Sequence, residues 1–110
     1  MAQPENPAAP EADTRYRNEL AENPPPESSW GKLLNWVPEG ARVLEVGCAY
    51  GSFSTALARI KKCQVVGVEV DPHSAETARG RLHELRVGDI AKLIENHEIP
   101  ADFDTIVAAD

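Results

Sequence analysis

Residues 43–51, VLEVGCAYG, decide the reading of this chain: an apolar run breaks at Gly47 and turns through Cys48, Ala49 and Tyr50 to Gly51, just before SFSTALARIKK. ARVLEV, the segment that enters the turn, has no helical period and is rich in valine and leucine, as expected of a strand buried on both faces. In SFSTALARIKK, Phe53, Ala56, Leu57 and Ile60 recur on one helical face, and Lys61 and Lys62 suit the C-terminal end of the helix dipole. A strand that enters a glycine-bounded loop opening directly into a helix lets a ligand approach the backbone closely and points N–H groups at a carboxylate or phosphate. A tight strand-to-helix turn without a ligand satisfies the same residues, so the loop alone leaves the function open.

Working outward toward the N-terminus, Ser28 or Ser29 can cap a helix carrying Trp30, Leu33, Leu34 and Val37 at i, i+3, i+4 and i+7, stopped by Pro38. Trp30 and Trp36 are expected to cover the core or the mouth of a pocket. Residues 1–29 hold most of the nine prolines and few large apolar side chains. They read as a disordered Pro-rich tail and linker, with residues 30–110 as the packed part. DTRYRNELA can form a short helical turn with Tyr16 and Leu20 on one side, and a disordered leader accounts for it equally well.

Toward the C-terminus, QVVGVEV reads as a second strand, Asp71 as a helix cap and Pro72 as a first-turn residue. Ala75, Ala78, Leu82 and Leu85 fall on one face of the helix that follows. LRVGDI reads as a third strand and turn, Ile90, Leu93, Ile94 and His97 as a third helical stripe, and FDTIVAA as a fourth strand. Strands alternating with helices imply parallel, right-handed crossover units, with ligands expected outside the carboxyl ends of the strands.

Eleven basic residues against eighteen acidic ones give a net charge of -7. That charge disfavours phosphate backbones and anionic lipid surfaces, so neither a nucleic-acid nor a membrane partner is expected. No apolar run approaches the roughly 20 residues of a spanning helix, and the basic-then-apolar layout of a signal peptide is missing, so a soluble, cytoplasmic protein is expected. Cys48 and Cys63 fall outside any C-x-x-C pattern and read as free thiols, with no metal site. His73, His83 and His97 show no partner pattern and read as surface residues.

Three acids complete the constellation. Glu45 precedes Gly47 by two, which together with the G-x-x-x-G spacing departs from the dinucleotide fingerprint G-x-G-x-x-G, and no G-K-[ST] follows to make a P-loop. Glu69 interrupts an apolar strand 24 residues after Glu45, where it can accept from both hydroxyls of a ribose. Asp89 stands in RVGDI, where a simple turn capping the next helix is the competing reading.

Together these segments resemble class I S-adenosylmethionine-dependent methyltransferases. VLEVGCAYG is similar to their motif I, [DE]-x-G-x-G-x-G, with Ala49 in place of the middle glycine. Alanine is compatible with that loop provided the position holds negative φ. GDI resembles the segment in which the acid accepts from the adenine amino group and the apolar neighbour packs on the ring, which assigns those roles to Asp89 and Ile90. FDTIVAAD is similar to the start of motif IV and ends at Asp110.

The resemblance implies an α/β, Rossmann-like parallel sheet of strand order 3-2-1-4, truncated relative to the family's seven strands. It also implies a cofactor site made by Glu45, Gly47, Cys48, Ala49, Tyr50, Gly51, Glu69, Val70, Asp89 and Ile90. The cofactor implied is S-adenosylmethionine, whose sulfonium and ammonium suit a pocket lined by acids while a helix N-terminus takes its carboxylate. Methyl transfer by direct displacement needs little beyond alignment, and no catalytic residue or methyl acceptor is identifiable. Two alternatives stay open: an inactive cofactor-binding fragment whose fourth strand pairs through an exposed edge, and a nicotinamide-binding domain.

Overall fold

The computed structural model describes residues 18–108, so Tyr16, the tail before it, Ala109 and Asp110 lie outside the described residues. The packed part starts earlier than Trp30. Residues 18–22 are helical and Ala21 is buried in the main apolar cluster. Helix α1 (Ser29–Trp36) follows, with Ser28 as its cap: the Ser28 hydroxyl oxygen accepts from Gly31 N at 3.0 Å. Gly31 is required by close approach, since a Cβ there would stand 2.0 Å from the Pro25 carbonyl oxygen. The prolines of residues 24–26 therefore lie against α1. Trp30 packs on Phe53, with ring centroids 4.9 Å apart, whereas Trp36 is 82% exposed and covers neither core nor site.

Strand β1 (Arg42–Val46), helix α2 (Ser52–Lys61), strand β2 (Gln64–Glu69), helix α3 (Pro72–Arg79), strand β3 (Glu84–Val87), helix α4 (Ile90–Glu95) and strand β4 (Thr105–Val107) complete the chain. The four strands form one parallel sheet of order β3-β2-β1-β4, as the sequence implied. Alternation along the strands separates two apolar layers. Val43, Val65 and Val107 face one side, with Phe53, Ala56 and Leu57 of α2 and Leu34 of α1; Leu44, Val66 and Val68 face the other, with Leu93 of α4. The crossover after β3 thus leaves by the opposite face from the one after β1, and the strand order reverses beside β1.

Three element boundaries differ from the sequence reading. The helix carrying Ala75 and Ala78 stops at Arg79 with Gly80 as its C-cap, and Leu85 sits in β3 opposite Gly67. Leu82, between the two, packs against the first layer. Helix α4 ends at Glu95, and His97 adopts a left-handed conformation at φ 58 in place of extending the stripe. In β4 only Thr105–Val107 pairs. Phe103 instead packs on the second layer beneath Arg42, whose guanidinium carbon lies 5.1 Å from the ring centroid, and Asp104 accepts from Arg42 N at 2.8 Å.

Candidate functional site

The carboxyl ends of β1, β2 and β3 bring the sequence-derived residues to one edge of the sheet. The loop after β1 is anchored to β2, since Gly47 N and Cys48 N both donate to Val68 O, at 2.8 and 3.0 Å. Gly51 N then donates to Cys48 O at 2.9 Å, closing the turn. Gly47 and Gly51 hold φ of 78 and 83, conformations that cost glycine little. Ala49 also has positive φ, at 52, so the condition of negative φ under which alanine fits the loop without strain is not met. Its amide is held there by a 2.7 Å hydrogen bond to Glu69 Oε1.

The left-handed conformation costs an L-residue about 1–2 kcal/mol. Replacing alanine by glycine returns about 0.4–1 kcal/mol of that through the freer unfolded chain. Ala49→Gly is therefore expected to stabilise the fold by about 0.5–1 kcal/mol, read as a higher urea midpoint; a lower midpoint would show that the alanine is unstrained.

Glu69 joins two of the segments. Its Oε1 accepts from Ala49 N and its Oε2 from Asp71 N at 3.0 Å, while its carbonyl oxygen accepts from Gly88 N at 2.9 Å. The side chain is nearly buried, yet it stands where the exposed Ala49 and Val70 rim the sheet edge. Asp71 caps α3 through Ser74, whose hydroxyl and N–H hold the Asp71 carboxyl below the usual carboxylate range. Asp89 caps α4, its Oδ1 accepting from Ala91 N and Lys92 N at 2.9 and 3.2 Å, and Ile90 packs beside the second layer. Both readings of Asp89 therefore remain geometrically available: it is a helix cap, and it is exposed at the same edge.

Two residues sit differently from a simple pocket lining. Glu45 is 3% exposed on the α2 side of β1 and accepts a short hydrogen bond from the Ser54 hydroxyl. Burial pushes its carboxyl up to about 7, against the lowering effect of Ser54. Glu45 is thus a support beneath the loop. Cys48 turns its thiol inward over Gly67, where a Cβ would meet Sγ at 2.8 Å. Burial, helped by Glu45 and Glu69, pushes that thiol up to about 12, which leaves it no nucleophilic role near neutral pH. Only the backbone of Cys48 can contribute at the sheet edge.

Gly51 is the N-cap of α2 and offers no side-chain acceptor to the first turn, so its leading N–H groups suit an external anion. Sequence reasoning missed Ser54, whose signal is a polar residue on a buried helical face.

A Rossmann-like sheet with a glycine turn at the strand-order reversal and an acid ending the next strand defines a methyltransferase-type cofactor domain. A family model described as a methyltransferase domain matches residues 43–110. Ribosomal protein L11 methyltransferase of Bacillus subtilis is 34% identical over 79 residues, covering 69% of this chain and 25% of that protein. A TehB-like methyltransferase from Corynebacterium glutamicum superposes with a TM-score of 0.61 at 26% identity, over 96% of this chain and 56% of that one. The S-adenosylmethionine-bound amino pentose methyltransferase CalS10 from Micromonospora echinaspora superposes at 0.61 and 25% identity, over 97% and 44%. The chain belongs to the class I S-adenosylmethionine-dependent methyltransferase family. It spans about a quarter of the length of the curated relatives it matches.

Proposed function

We propose that the chain binds S-adenosylmethionine at the carboxyl ends of β1, β2 and β3 and serves methyl transfer to an acceptor that the relatives do not identify. The observation that carries this reading is Glu69, an acid tied by its two oxygens to the glycine loop and to the start of α3. A carboxylate so fixed can accept from both hydroxyls of a ribose with its remaining lone pairs. Around it, the Gly47–Gly51 turn leaves room for the sulfonium-bearing chain, the first turn of α2 faces the carboxylate, and Val70, Asp89 and Ile90 surround the adenine.

Methyl transfer is a displacement at carbon in which the methyl group leaves sulfur as the acceptor's lone pair arrives. The protein's part is to align the two and to exclude water. Among the described residues no helix is long and apolar enough to cross a membrane. With the acidic net charge, this supports a cytoplasmic setting and a small-molecule cofactor as the first partner.

Glu69→Ala is expected to weaken S-adenosylmethionine binding by roughly 1–3 kcal/mol, because two hydroxyls lose a charged acceptor. Titration calorimetry measures this, with a nicotinamide dinucleotide as the control ligand. Unchanged affinity would remove Glu69 from the site, and heat from the dinucleotide alone would replace the reading.

A second reading, cofactor binding without turnover, is favoured by the second sheet face. Ile106 of β4 is 67% exposed and Ile94 of α4 is 57% exposed, so apolar side chains there stand in water. Among the described residues the outer edge of β4 pairs with nothing, and we read it as able to take another strand. Radiolabelled methyl transfer into a mixed acceptor pool distinguishes the two readings, since turnover excludes the second.

A further inference from the structure

Pro24, Pro26, Lys32, Trp36, Ile60 and Lys61 line a groove of about 480 Å³ between the proline run, α1 and the end of α2. Large apolar surface stands in water there: Trp36 is 82% exposed and Ile60 is 41% exposed. An indole so placed forgoes the burial through which aromatic side chains dominate cores and interfaces. Trp36 closes α1 shortly before β1, and Ile60 and Lys61 close α2 shortly before β2. The groove therefore lies at the amino ends of the strands, the opposite edge from Glu69 and Asp89, and what fills it is independent of the cofactor reading.

Charge narrows the occupant. Lys32 and Lys61 are cations, and no acid belongs to the lining. Among the described residues neither lysine forms an ion pair. A chain of net charge -7 thus presents a basic rim around an exposed indole. Complementary charge fixes register and suppresses wrong partners, so the fitting ligand is acidic and carries an apolar stripe.

The chain itself contains such a segment. Residues 4–13, PENPAAPEAD, lie outside the described residues. Prolines at 4, 7 and 10 recur at every third position, the period of polyproline II, which sets all three on one side. Grooves lined by aromatic side chains take such stripes, because the preformed backbone has little entropy left to lose. Glu5, Glu11 and Asp13 supply carboxylates, and the segment holds no lysine or arginine. Reach permits the contact: residues 14–17 extend up to about 14 Å. The helical residues 18–22 that follow rise only about 8 Å before the chain meets the groove at Pro24.

We propose that residues 4–13 dock in this groove of their own chain, with the prolines against Trp36 and Ile60 and the carboxylates toward Lys32 and Lys61. The surface is then an intramolecular site for an acidic proline stripe, at the edge of the sheet remote from the nucleoside.

Tryptophan fluorescence of the full chain, with acrylamide as quencher, tests this. The triple variant Pro4→Ala, Pro7→Ala, Pro10→Ala is expected to raise the quenching constant about twofold, as Trp36 loses its cover. Trp36→Phe is expected to cancel that rise, which assigns it to Trp36 and not to Trp30. Glu5→Lys with Glu11→Lys is expected to give a smaller rise, since exposed charge pairs contribute less than apolar contact. A synthetic peptide of residues 1–13, added to the triple variant at millimolar concentration, is expected to restore the shielding.

Equal quenching of the full chain and its triple variant would overturn the proposal. So would restoration by a peptide whose three prolines are alanine, which would reduce recognition to charge. Shielding that fades on dilution, with a dimer in sedimentation, would give the groove to a second copy and overturn docking within one chain.

Discussion

Gly47→Val is expected to abolish S-adenosylmethionine binding, taking affinity down by at least about a hundredfold. Gly47 holds φ 78, a region that is a genuine outlier for a β-branched residue. Its N–H anchors the loop to Val68 O, and the next residues carry the Ala49 amide to Glu69. Relieving the valine requires the turn to leave the left-handed region, which pulls that amide away from the carboxylate and fills space at the backbone. A Gly47→Ala companion has a φ penalty of about 1–2 kcal/mol without the branched side chain. Calorimetry with circular dichroism on both variants separates a lost site from a lost fold. A folded Gly47→Val protein that binds normally would show that this turn does not meet the ligand.

Glu45→Gln is expected to stabilise the protein strongly in neutral and alkaline solution and hardly at all in acid. The folded carboxyl titrates at about 7, against 4.5 for an ordinary glutamate, because burial disfavours its charge. Below the lower value both states hold the proton, so stability does not depend on this group. Between the two values the unfolded chain has released the proton and the folded chain has kept it, and stability falls as pH rises. Above the upper value the cost levels off at roughly 3 kcal/mol.

Glutamine keeps the shape and an oxygen for the Ser54 hydroxyl while removing the charge. Urea unfolding near pH 8 should therefore show a gain approaching about 3 kcal/mol, and near pH 4 almost none. A loss of stability near pH 8 would mean that the ionised carboxylate is needed beneath the loop.

Much of this could be read from residue order alone. β1 and β2 announce themselves as unbroken apolar runs, and the loop with its acids falls where parallel topology puts ligands, so the sheet order and the meeting of Gly47, Glu69 and Asp89 follow. What escaped depends on distance in three dimensions. The inward turn of Cys48 and the left-handed Ala49 are set by contacts with Gly67 and Glu69, some twenty residues away. Leu82 and Leu85 continued a helical period that Gly80 breaks, and strand pairing with Gly67 claimed Leu85. The prolines of residues 24–26 look like a spacer in one dimension and become packing only once Gly31 admits them. The Glu22–Arg81 contact spans 59 positions and leaves no trace in local pattern.

The backbone amides of Ala49 and Asp71 hold the two oxygens of Glu69 before any ligand arrives. A flexible glutamate would surrender up to about 2 kcal/mol of rotamer freedom when a ribose docked. Here that entropy has already been lost during folding, so the sugar meets a rigid acceptor. Recognition of the nucleoside should then show a small entropic cost and little slowing from side-chain rearrangement.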